Sequence, residues 1–211
     1  MTPDDAPSRR RRVDESTRRE TRGRLLAALA AAIEERGYAN VGVADIARHA
    51  RVSKRTFYEH FADREACLVA LFLDVSHRTI DAMERAIGSE RGAPALGRVI
   101  AVMVERAAAR PLLAEALLLD VPTVPGRAAI ERRSVADRLA WMMADAAGAP
   151  VRAGEHGDAF TPEIAAALAG GVAVLLLREV EAGHPQRIEQ LADPLTAFVT
   201  RVLGPLPAAG S

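Results

Sequence analysis

From Val52 to Phe61 the chain reads Val-Ser-Lys-Arg-Thr-Phe-Tyr-Glu-His-Phe, a short stretch in which hydroxyl, ammonium, guanidinium and imidazole groups surround two phenylalanines. Lys54, Arg55, Thr56, Tyr58 and His60 carry donors suited to duplex DNA. An arginine can meet guanine O6 and N7 together in the major groove, and hydroxyl and ammonium groups can meet phosphate oxygens. On a helix, Phe57 and Phe61 lie four residues apart and turn to one side, which leaves the polar groups on exposed sides. Ser53 can cap that helix by accepting an amide proton from its first turn, so the spacing predicts a helix beginning at Lys54. The chemistry these residues offer is recognition of a duplex.

Such a polar blade needs a platform. Just before it, Ile46, Ala47 and Ala50 fall at the three- and four-residue spacing of one apolar helical face, with Asp45 and Arg48 pointing away and Val52 closing the turn. An earlier helix, expected from about Thr17 to Arg36 with Gly37 as its C-terminal stop, carries Leu25, Leu26, Leu29 and Ile33 as the stripe on which Ile46, Phe57 and Phe61 pack. After Phe61, Asp63 caps a longer helix running through about Ile87, with Glu65 placed favourably in its first turn and Leu68, Leu71 and Phe72 on its buried side.

From about Arg18 to Leu71 the sequence resembles the DNA-binding domain of a TetR-family transcriptional regulator. The pieces that carry the resemblance are Glu35-Arg36-Gly37-Tyr38, Val43-Ala44-Asp45-Ile46-Ala47, Val52-Ser53-Lys54-Arg55-Thr56-Phe57-Tyr58, His60-Phe61 and Asp63-Arg64-Glu65-Ala66, in matching order and spacing. The resemblance implies base or near-base contacts from Arg55, Thr56 and Lys54. It implies phosphate contacts from Ser53, Tyr58, His60 and Arg64. Two positions depart from the family pattern. Gly42 stands at a DNA-contact position where the family commonly has a hydroxyl residue, and Arg51 stands in the turn where the family commonly has glycine. If Arg51 must take positive φ it carries a modest strain that glycine avoids, and its side chain could add a phosphate contact.

Composition fits this reading. The chain has 211 residues, of which 49% are hydrophobic and only 4% aromatic, and no stretch alternates like a strand between hairpin turns, so an all-α, soluble fold is expected. The net charge of zero hides an asymmetry: residues 1–64 hold 14 Lys and Arg against 10 Asp and Glu, and residues 65–211 hold 14 against 18. Basic charge therefore gathers where the motif is, as in a chain with a nucleic-acid end and a separate control end. Cys67 is the single cysteine, which excludes an intramolecular disulfide and a thiolate metal cluster and suits a reducing cytoplasm. The arginines near the N-terminus are not followed by an apolar core and cleavage site, so no secretory signal is read. The longest apolar run, Ile164 to Leu177, is shorter than the ~20 residues a membrane span needs, and no membrane partner is expected.

The remaining chain divides by its prolines and glycines. Residues 1–17, with Arg9 to Arg12 in succession, read as a flexible arm that could enter a minor groove; residues 18–64 as the helix-turn-helix domain; residues 65–204 as a helical regulatory and dimerisation domain; residues 205–211 as a disordered tail. Helices are expected near residues 94–109, 111–120, 126–147, 161–182 and 186–203. Thr161-Pro162-Glu163 marks a helix start, and Asp193-Pro194 repeats the pattern, so the last helix is expected in two pieces or kinked. The family resemblance implies a homodimer built on the last two long helices. Ala165, Ala166, Ala169, Gly170, Gly171, Ala173 and Val174 would allow close approach, and Ile188, Leu191, Leu195, Phe198, Val199 and Val202 would supply the second half.

Other chemistry is weaker. Asp74, His77, Arg78 and Asp81 share helical spacing and read as a solvated, salt-bridged face before they read as a ligand or metal site. Glu155, His156 and Asp158 read as loop residues, and His184 before Pro185 as turn chemistry. Met103, Trp141, Met142 and Met143 are core residues or, given the resemblance, the lining of a pocket for a small hydrophobic effector, to which Met103, Trp141 and Met142 are assigned. No phosphate loop, zinc-protease histidine pair or nucleophile elbow occurs, which argues against an enzyme, and no cofactor or metal is expected. The sequence thus predicts a one-component, ligand-responsive regulator, a repressor by resemblance, that binds a palindromic operator as a homodimer. The competing reading is a constitutive DNA-binding or assembly protein with a filled core and no effector.

Overall fold

The computed structural model describes residues 6–147 and 162–203, and among these every regular element is helical, as the composition predicts. The chain forms two compact units, Met1–Leu71 and Phe72–Ser211. The helix start at Thr161, the loop residues Glu155, His156 and Asp158, and the tail at 205–211 lie outside the described residues.

In the first unit, α1 spans Ala6–Arg36, α2 Val43–Ala50 and α3 Lys54–His60, and the opening turns of α4, Arg64–Ile87, belong here too. The expected arm at residues 1–17 is therefore corrected: α1 reaches back to Ala6. Alanine, arginine and glutamate favour helix there, Pro7 falls in the first turn where its fixed φ is tolerated, and the first glycine inside the helix is Gly23. Leu25, Leu29, Ile33, Ile46 and Phe57 are wholly buried, with Leu26 and Phe61 nearly so, which is the stripe-on-platform arrangement the spacing requires. Gly37, at φ 72, ends α1. Cys67, Leu68 and Leu71 are also buried, so the unit boundary falls inside α4 and not at residue 64, where a reading by motif alone places it. Burial pushes the Cys67 thiol up to about 12, which keeps it protonated and unreactive.

The second unit is organised around α5, Ala93–Ala109, which buries Ala95, Leu96, Val99, Ile100, Met103, Val104 and Ala107. Around it lie α7, Arg127–Ala147, α9, Pro185–Ile188, and α10, Ala192–Leu203; α8, Pro162–Glu181, packs on α7. Between α5 and α7 comes α6, Pro111–Glu115, which loosens into a π-helical turn at Ala116–Asp120. The last helix is in two pieces as Asp193-Pro194 suggests, with α10 starting at Ala192 and Pro194 in its first turn. No helix among the described residues is long and apolar enough to cross a membrane.

Candidate nucleic-acid interface

Each end of α3 is fixed by its own residues. Ser53 accepts the Thr56 amide proton at 3.0 Å and shares a second hydrogen bond with the Thr56 hydroxyl at 2.9 Å. Thr56 is thereby half-committed to the cap. Phe57 and Phe61 anchor the buried side with ring centroids 5.7 Å apart, and the Arg22 guanidinium lies 4.6 Å from the Phe61 ring. Outward, Lys54 and Arg55 are exposed, Arg55 with 90% of its side chain in solvent, and Tyr58 is 57% exposed with its ring edge-on to Phe57.

The platform under α3 is tied by charge. Gly42 caps α2 through its backbone alone, its N–H donating to Asp45 Oδ2 at 3.1 Å. Arg48 and Arg36 also donate to Asp45, at 3.0 and 3.3 Å. These partners, the Gly42 hydrogen bond first, hold the Asp45 carboxyl down at about 2. At the other end of α2, Arg51 takes the left-handed conformation at φ 53 and ψ 46 and is the one non-glycine residue with positive φ among those described. Its N–H closes on the Ala47 and Arg48 carbonyls, and Arg24 of α1 donates to the Ala50 carbonyl at 2.5 Å. The turn thus pays for its missing glycine with backbone strain and leaves the Arg51 side chain exposed.

Two residues assigned to phosphate stand differently. Arg64 is turned inward: it donates to the Val41 and Tyr38 carbonyls at 2.9 and 3.3 Å, pairs with Glu65 at 3.4 Å, and stacks 4.3 Å from the Tyr38 ring. The motif's basic residue is in this structure a brace between α4 and the turn after α1, where its guanidinium is held by two backbone carbonyls and an aromatic face. His60 is half-buried, and desolvation, then Arg18 and Arg22, lowers its pKa, so near neutral pH it offers a neutral ring and no cation.

Sequence reasoning passed over Glu59, whose carboxylate receives the Arg55 Nε–H at 3.3 Å, and Arg18, which donates to the Glu59 carbonyl at 3.4 Å. The four-residue spacing of Arg55 and Glu59 was the available signal for the first. Nothing local marks the second.

The residues assigned to an effector pocket are only partly brought together. Trp141 and Met142 line an open cleft of about 510 Å³ with Ile87, Arg91 and Arg138, whereas Met103 is packed in the core with Met143 and is not part of that cleft. Its rim is charged: Arg138 pairs with Glu84 at 3.2 Å and Arg91 with Asp145 at 3.0 Å. The series expected to complete a partner surface is corrected as well. Ile188, Leu195 and Val199 are wholly buried in the second unit's own core, since α10 must cover α5 before anything else. Asp74 and Arg78 form an ion pair at 3.1 Å.

A capped, aromatic-anchored helix that presents basic and hydroxyl groups, packed on a second short helix, is a helix-turn-helix DNA-binding unit. Residues 25–71 match the family model described as bacterial regulatory proteins, tetR family. The fold is similar to that of the fatty acid degradation regulator FadR from Bacillus halodurans, at 19% identity over 88% of this chain and 99% of that one, with a TM-score of 0.68. It is also similar to FadR from Bacillus subtilis in complex with stearoyl-CoA, at 19% identity over 86% and 98% and a TM-score of 0.70. A TetR transcriptional regulator from Rhodococcus sp. RHA1 matches at 20% identity over 84% and 96%, with a TM-score of 0.61. The family match covers residues 25–71 in the first unit, and the likeness of the chain as a whole to these solved structures shows a shared fold.

Proposed function

We propose that the protein is a homodimeric, ligand-responsive repressor that works on chromosomal DNA in the cytoplasm, its first unit binding a palindromic operator and its second dimerising and sensing a small molecule. The observation that carries the DNA-binding part is the outward face of α3, where Arg55 and Tyr58 are exposed beside Lys54 on a helix whose buried side two phenylalanines hold. Arg55 reads a base edge, Lys54 and Thr56 lie at or near the bases, and Ser53 and Tyr58 meet phosphates. Arg51 joins them from the turn, His60 contributes a neutral donor, and Gly42 contributes backbone alone.

The dimer reading is supported by what α8 and α10 leave uncovered. Ala167, Gly170 and Val174 form an exposed stripe on α8, Val174 being 64% exposed, and Ala197 is exposed on α10. Two recognition helices joined this way could address successive major grooves, ~34–36 Å apart. Effector binding is supported by the cleft at Trp141 and Met142 and by the acyl-CoA held by a protein of the same fold.

Selecting bound duplexes from a random library with the purified chain tests the whole reading. The expected product is a two-fold symmetric sequence whose affinity falls steeply with salt. Lys54→Ala should weaken all duplexes and lower the salt slope by about 1. Trp141 is the sole tryptophan, so its fluorescence should respond to stearoyl-CoA, and that ligand should release the selected duplex. A selection that enriches nothing at low salt defeats the DNA-binding reading; a silent tryptophan with unaltered DNA affinity defeats the assignment of an acyl-CoA effector to the cleft.

A further inference from the structure

Glu59 is the only acidic side chain on α3, and it stands 57% exposed on the helix that faces the duplex. A carboxylate there opposes binding to every duplex, because it approaches a wall of phosphates. Its value to the fold is slight, since an ion pair between two such exposed groups four residues apart contributes little to stability. Something other than stability or raw affinity must favour it.

The geometry points to a positioning role: we infer that Glu59 holds the Arg55 guanidinium in the orientation that reads guanine, so that the Arg55–Glu59 pair, and not Arg55 alone, sets sequence preference. The inference rests on the proposed base contact of Arg55. Arg55 donates through Nε to Glu59 Oε1 at 3.3 Å. With Nε engaged, the two terminal nitrogens remain for O6 and N7 of one guanine, the bidentate contact that discriminates best among base pairs. Without Glu59, a side chain 90% in solvent samples many rotamers and meets the nearest phosphate as readily as a base. Arg18 of α1 adds to the arrangement by donating to the Glu59 carbonyl at 3.4 Å, which fixes the last turn of a helix only seven residues long. Glu59 thus lowers affinity for all duplexes and raises the difference between the right duplex and the wrong ones, which is how a repulsive group contributes to specificity.

The test uses the full chain and the random-library selection, run on wild type, Arg55→Ala, Glu59→Ala, Glu59→Gln and the double variant Arg55→Ala/Glu59→Ala. Arg55→Ala is expected to reduce guanine preference at one position of each half-site by roughly 5- to 150-fold. Glu59→Ala is expected to reduce preference at that same position severalfold while binding non-operator duplex more tightly than wild type. Glu59→Gln, which keeps an acceptor without the charge, should fall between, and the double variant should match Arg55→Ala alone. Thermal midpoints close to wild type for all four variants separate this role from a structural one. Unchanged preference at the Arg55 position in Glu59→Ala overturns the inference, as does a change at a different position, which would make Glu59 a direct acceptor from cytosine. No effect of Arg55→Ala overturns it too. Failure of wild type to enrich any sequence strikes the DNA-binding reading instead, so the two failures are told apart.

Discussion

Helices α3 and α8 each meet an aromatic ring, yet the faces they leave uncovered are opposite in kind. On α3 the rings are its own Phe57 and, just past its end, Phe61, and the free face is charged and hydroxylated. On α8 the ring belongs to α10, where Phe198 lies so near Gly171 that a Cβ there would stand 2.8 Å from Cζ, and the free face carries Ala167, Gly170 and Val174. A polar face is already satisfied by water, so it binds only where its donors match a partner group by group. An apolar face is raised in free energy by water and gains from any well-shaped cover. The first therefore declares its partner through residue identity, the second only through what folding leaves bare.

The anchors are where this contrast breaks most readily. Phe57→Ala removes a wholly buried ring and should cost about 3–5 kcal/mol, a large part of the ~5–15 kcal/mol typical of a domain. Urea unfolding followed by circular dichroism should then show an early transition for the first unit, with DNA binding lost and the oligomeric state in sedimentation retained. A shift below ~1 kcal/mol would mean that the rings are not what holds α3. Gly171→Leu is the counterpart on α8. It forces Phe198 aside and should cost about 1–3 kcal/mol, and if the α8 and α10 faces form the dimer it should move sedimentation toward monomer with the first unit's unfolding unaltered. Should both variants lose dimer and DNA binding alike, the two faces do not have separate tasks.

What could be read before any coordinates follows the same division. Phe57, Phe61, Ser53 and Asp63 act through neighbours three or four residues away, so spacing alone reveals the cap and the anchors; Asp63 accepts the Ala66 amide proton at 2.6 Å as its position implies. Arg64 and Arg24 act through carbonyls 23 and 26 residues away, and no local pattern encodes that. Along α10, periodicity finds Ile188, Leu195 and Val199 as apolar and cannot say whether a core or a partner takes them; the need to cover α5 decides for the core. The same ambiguity separated Met103 from Trp141 and Met142, which share chemistry but not location. Residues 6–17 look like a solvated arm because they are arginine-rich and lack apolar periodicity, yet they continue α1, since nothing in them prevents helix.

The smallest effect is expected at Asp45, where the charged platform of α3 can be weakened without removing an atom from the core. The Gly42 N–H, then Arg48 and Arg36, favour the carboxylate and hold its pKa at about 2 against an ordinary 3.8. A pKa lower in the folded chain than in the unfolded one means that the native state prefers the charged form. The stability this provides is complete above pH 3.8 and is lost as pH falls through 2. Asp45→Asn keeps an oxygen for the Gly42 N–H but nothing that titrates. It should be slightly less stable than wild type at pH 7, and the two unfolding curves should converge between pH 4 and 2 as wild type gives up the difference. A gap as wide at pH 2 as at pH 7 would show that shape, and not charge, is what Asp45 supplies. Gly171→Leu gives the control, because its deficit arises from a steric clash with Phe198 and should run parallel to wild type across the same window.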